Sequence, residues 1–104
     1  LEGGKKSTSH SGAGHRERLR QRLLNGGAEA LADYELLEFL LFAAIRQGDT
    51  KPVAKRLISQ FGSFSAVLNA SPGALAQVQG MGEASAACLH AVSLSARRMA
   101  RGTI

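Results

Sequence analysis

The residues best suited to chemistry are Gly80, Met81 and Gly82, which stand between a short apolar segment and a long stretch free of glycine and proline. The first glycine can take the left-handed conformation that ends a helix. Met81 can turn inward, and the second glycine leaves the first amides of the next helix uncovered. Exposed amides and a helix dipole suit a phosphate, held through its backbone and hence with little base preference. The same three residues also suit a plain corner between two helices, where glycine serves only the turn. Ser85 is the nearby polar donor, whereas Glu83, directly after the glycines, would repel an anion.

Groups for covalent chemistry are sparse. The histidines are His10, His15 and His90, two of them near the N-terminus and none with a partner at ligand spacing. The single cysteine, Cys88, excludes an intramolecular disulfide and a multi-cysteine metal site, and reads as a small core residue. Glu35 and Glu38 share a helix face and read as the solvated strip of an otherwise buried helix. There is neither a phosphate-binding lysine loop nor a dinucleotide fingerprint. The expectation is a protein with no catalytic residues, no metal and no cofactor.

The chain of 104 residues has room for one domain. Thirteen Lys and Arg against eight Asp and Glu leave a net charge of +5, which makes polyanions the natural partners. With no tryptophan, one tyrosine and four phenylalanines, the core must come from Leu, Ala, Val and Ile, which favours packed helices. The longest apolar run, residues 39–45, is far too short to cross a bilayer, and no signal sequence opens the chain. A soluble, cytoplasmic protein without a membrane partner is expected. Because the sequence begins at Leu1, a processed or excised piece of something longer is expected too.

Residues 1–14, rich in Gly, Ser and Lys, read as a disordered tail, and residues 15–101 as the folded domain. A short basic helix over residues 15–25 stops at Gly26-Gly27. Within it Arg18 and Arg22 lie one turn apart, which calls for something acidic opposite and hints at a partner. Asp33 is placed as the N-cap of a helix that is apolar on nearly every side through Ile45, hence central. Thr50 is placed as the N-cap of an amphipathic helix that groups Val53, Leu57, Ile58 and Phe61 and ends at Gly62. Ser63 caps a short segment with Phe64, Val67 and Leu68, Ser71-Pro72 opens another, and the last helix runs from Glu83 for about 18 residues. All four phenylalanines fall on core faces, which argues against stacking on single strands.

An offset of 32 residues superposes Gly48-Asp49-Thr50 on Gly80-Met81-Gly82 and brings Ala54 onto Ala86 and Leu57 onto Leu89. This internal repeat implies two helix-turn-helix units joined by a connector near residues 63–69. The stretch VQGMGEASAACL resembles the second hairpin of a helix-hairpin-helix motif. GHRERLRQRLL, DYELLEFLLFAAI, DTKPVAKRLISQFGS and VQGMGEASA, in that order, resemble the N-terminal region of the bacterial RadC family.

The resemblance covers residues 14 to about 100. It implies a compact all-α bundle of five or six short helices in a tandem helix-hairpin-helix (SAM/HhH-like) arrangement. In that family a larger MPN/JAB-type domain with a zinc-binding motif follows, and a DNA-repair role is implied. Carried over, the second hairpin is Gly80, Met81 and Gly82, and the first, degenerate one is Gly48, Asp49 and Thr50, with Lys51, Lys55 and Arg56 just beyond. A threonine N-cap would compete with a phosphate for the helix end, and Glu83 stands where many DNA-binding hairpins carry Lys, Arg, Ser or Thr.

Two functions follow as expectations. One is a non-catalytic DNA-binding module that contacts duplex or branched DNA through Gly48, Thr50, Lys51, Lys55, Arg56, Gly80, Met81, Gly82 and Ser85. The other is a protein-interaction or regulatory domain that docks on the family's C-terminal domain or on another protein.

Overall fold

A computed structural model of the chain describes residues 12–102. Its elements are helices throughout: α1 (Gly12–Asn25), α2 (Asp33–Leu41), α3 (Lys51–Phe61), α4 (Phe64–Asn69), α5 (Pro72–Ala76) and α6 (Glu83–Arg101). No strand occurs among the described residues, as the aliphatic composition implied. Of the expected tail, residues 1–11 lie outside the described residues, and Gly12 to Gly14 already belong to α1.

Helix α2 is the centre of the bundle, packed against α1, α3, α4 and α6. Its Leu37 and Leu41 belong to one core cluster with Leu57 of α3, Val67 of α4, Leu75 of α5 and Leu89 of α6, all with no exposed surface. Each such leucine contributes about 1.5–3 kcal/mol relative to exposure. The two closest helix pairs are α2 with α3 and α5 with α6, each joined by one of the expected hairpins. The small residues Ala54 and Ala86, one in each second helix, are buried and let the backbones approach.

Most helix ends follow their local signals. Ser63 accepts from the Ala66 amide at 3.0 Å and Ser71 from the Ala74 amide at 3.2 Å, with Pro72 at the first position of α5. Gly62 closes α3 with φ 105°. Three ends differ from the sequence reading. Ala32, not Asp33, is the N-cap of α2, because the Glu35 carboxylate reaches back to the Ala32 amide at 2.9 Å and takes over the capping role.

Helix α2 also stops at Leu41 instead of running to Ile45. Arg16 of α1 donates to the carbonyls of Ile45 at 2.7 Å and Phe42 at 3.4 Å, which satisfies the turn that follows the helix. The third departure is Thr50, whose hydroxyl makes no cap.

Helix α6 is divided. Ser85, Ala86, Leu89 and Ser93 are buried in the bundle, whereas every residue from 94 to 102 is exposed, Leu94 by 40% and Met99 by 77%.

Candidate functional site

The two hairpins share one backbone device. Gly48 takes φ 96° and Gly80 φ 94°, at the repeat spacing of 32 residues, and no non-glycine residue among those described has positive φ. The second turn also rests on the helix that follows the first. A Cβ built on Gly80 would come within 2.7 Å of Val53 Cγ2 near the start of α3, and Arg56 of α3 donates to the Gln79 carbonyl at 2.7 Å. The second hairpin therefore packs on the N-terminal half of α3, the helix that leaves the first hairpin.

The second hairpin is largely closed on itself. Met81 packs half-buried against the core and its amide donates to the Val78 carbonyl at 2.9 Å. Gly82 is extended (φ −157°), and its amide donates to Ser85 Oγ at 2.9 Å, so the expected donor Ser85 is buried and occupied within its own turn. The Glu83 carboxylate adds negative charge at the start of α6.

At the first hairpin the threonine does something other than cap. Thr50 is 1% exposed and its hydroxyl donates to Glu38 Oε2 at 3.1 Å, while Asp49 Oδ1 accepts from the Lys51 amide at 3.0 Å. Competition for the helix end thus comes from Asp49.

Glu38 corrects a second expectation, for it is no part of a solvated strip. Its side chain is fully buried and accepts from Thr50 and from His15 Nε2 at 3.1 Å. A buried carboxylate needs such donors, and here they tie α1, α2 and the first hairpin together. The carboxylate lies between imidazole and hydroxyl, so His15 is not placed to activate Thr50, and the trio is a structural hub. Glu35, the other half of the supposed strip, pairs with Arg22 at 2.8 Å. Arg22 is thereby explained within the chain, and its hydrogen bond, with that of the Ala32 amide, holds the Glu35 carboxyl below the usual carboxylate range.

Among the expected site residues, Gly48, Thr50 and Lys51 lie together beside α1, Arg56 reaches the second hairpin at the Gln79 carbonyl, and Lys55 is drawn off. Lys55 places its ammonium 4.8 Å from the Tyr34 ring centre, on a face shared with Asp33 and Ile58. Arg97, Arg98 and Arg101 lie on the exposed part of α6, 14 or more residues beyond its start and hence about 21 Å along its axis.

The sequence reading left out three residues of α1. His15, Arg16 and Arg18 face Gly48, Asp49 and Lys51 across a groove of about 170 Å³. Arg16 is held by the carbonyls already named and by the Phe42 ring, 4.4 Å below its guanidinium. The available signal was the run of arginines in residues 16–22, which helical spacing alone could not orient toward the hairpin.

A family described as UPF0758 N-terminal matches residues 13–87, from the first turns of α1 into α6. The chain belongs to this family. It is 50% identical over 90 residues to a UPF0758 protein of Ruegeria pomeroyi and 51% identical over 86 residues to one of Rhodobacter capsulatus. These alignments cover 86% and 83% of this chain but 40% of each relative, so the chain spans well under half the length of the proteins it matches. The order of segments that resembled the N-terminal region of the RadC family accords with this membership. No solved structure matches the chain. Among the described residues no three His, Cys, Asp or Glu come together as metal ligands, and no helix is long and apolar enough to cross a membrane.

Proposed function

We propose that the domain is a non-catalytic DNA-binding module that grips the phosphate backbone at its two hairpins. The observation that carries this reading is a pair of turns of matched conformation, at Gly48 and Gly80, in a basic chain, the second turn seated on the helix that follows the first. Paired turns of this kind can follow two neighbouring phosphates without reading base edges. Lys51 and Arg56 add charge there. Binding should be non-specific, with a dissociation constant on the order of micromolar to sub-millimolar, and should weaken steeply with salt.

A titration of the isotope-labelled chain with a short DNA duplex at low and moderate salt tests this. Shifts confined to the amides of residues 48–51 and 80–85 that disappear at moderate salt are the expected result. An unchanged spectrum at millimolar duplex would overturn it.

A second reading, a protein-interaction domain, draws on Leu94 and Met99, exposed on the part of α6 that no other helix covers among the described residues. It expects binding of a protein partner that persists in high salt and is lost on Met99→Glu.

A further inference from the structure

We infer that the groove between α1 and the first hairpin is a phosphate-binding site, in which Arg18 and Lys51 contact the anion from opposite walls. This rests on the proposed function only for its ligand, a phosphodiester of the DNA backbone. The same chemistry would take a free phosphoanion.

The groove is built from two elements that are distant in sequence. One wall is α1 with Arg16 and Arg18, and the other is the turn from Gly48 to Lys51. Its volume of about 170 Å³ equals that of roughly six water molecules at about 30 Å³ each, enough for one phosphate group. Its charge comes from side chains, since the Lys51 amide is already taken by Asp49. Against the Asp49 carboxylate stand three permanent cations, Arg16, Arg18 and Lys51, so the opening is net positive.

The roles divide by what already engages each group. Arg16 is fixed by the Ile45 carbonyl and the Phe42 ring, and His15 by Glu38, so these two frame the groove. Arg18 and Lys51 are exposed, and neither side chain makes an ion pair among the described residues. Binding an anion between them orders two exposed side chains, but the walls that carry them are already fixed by Arg16 on the Ile45 carbonyl and by Thr50 on Glu38, which is what distinguishes the groove from a merely basic surface.

The test compares the full chain with the double variant Arg18→Gln, Lys51→Gln, using a short DNA duplex and, separately, pyrophosphate as probes. Both side chains are exposed, and unchanged circular dichroism and amide dispersion establish that the variant is folded. The expected result is a tenfold or greater loss of duplex affinity, with a salt slope smaller by about two, one for each phosphate contact removed. Pyrophosphate should shift the amides of residues 48–51 in the parent chain alone.

If the variant binds duplex with unchanged affinity and slope, the groove is not the site, while the proposed function survives. If the parent chain ignores duplex yet pyrophosphate shifts those amides and the variant abolishes the shift, the site stands as one for a free phosphoanion and the DNA reading falls. If neither probe moves the parent spectrum, both ideas fail.

Discussion

The first and second hairpins have nearly the same backbone at their leading glycines, φ 96° and 94°, and yet their surroundings are opposite. Gly80 is jammed against Val53, its turn is braced by Arg56, and the next helix starts with Ser85 closing on Gly82 and with an acidic Glu83. Gly48 has nothing within 4 Å of where a Cβ would sit, and its turn is walled by the arginines of α1 and anchored from below by Thr50 on Glu38. A duplicated turn can therefore be kept as a joint in one copy and opened to solvent in the other. Identity of backbone conformation does not imply identity of use.

The sharpest way to break this contrast is to add a methyl group to each glycine. Gly80→Ala combines a left-handed backbone with a 2.7 Å clash and should cost about 3 kcal/mol. Gly48→Ala carries only the conformational strain, about 1–2 kcal/mol, and Gly82→Ala, extended and uncrowded, should cost less than about 1 kcal/mol. Denaturant unfolding of the three variants would reveal this order, and equal costs at Gly48 and Gly80 would mean that the second hairpin is no tighter than the first.

Glu38→Ala comes next. It leaves the buried Thr50 hydroxyl and the His15 imidazole without their acceptor, at about 2 kcal/mol. Because the loss falls on α1 and the first hairpin, hydrogen exchange should quicken in α1 and around residue 50 more than in α6. A uniform change would deny the carboxylate its local role.

A smaller effect sharpens the contrast in charge. Asp49→Asn keeps an oxygen to accept from the Lys51 amide but removes the one negative charge in the groove, so on the proposed function duplex affinity should rise about threefold at low salt. A fall in affinity would contradict the groove as a phosphate site.

The smallest effect concerns the tie between α1 and α2. The pair with Arg22 depresses the Glu35 carboxyl in the folded state, so its contribution is present above the ordinary carboxylate range and is lost as pH falls through the lowered folded value. Glu35→Gln should lower Tm by a few degrees at pH 7, with the difference shrinking below about pH 4. Parallel Tm curves down to pH 2 would show that the pair contributes nothing.

Much of the fold was legible along the chain. The all-helical class, the central position of α2, the serine caps at Ser63 and Ser71 and the stop at Gly62 depend on residues within a turn or two of each other, where periodicity and capping chemistry act. The site was legible in part. The hairpin glycines follow from local signals and from the repeat, but Glu38 looked like a solvated neighbour of Glu35 because its partners His15 and Thr50 lie 23 and 12 residues away.

By itself the sequence determined which segments become helices, where glycine permits the turns, and that the surface is basic, because these depend on local conformational energies and on total charge. Only the tertiary structure decided which of two equivalent turns is crowded and which is open. It also decided that Thr50 points to a buried carboxylate instead of capping its own helix, and that α1 lays its arginines against the first hairpin. Each of those outcomes rests on contacts between helices, where burial makes an unpaired charge or hydroxyl costly enough to override the local preference.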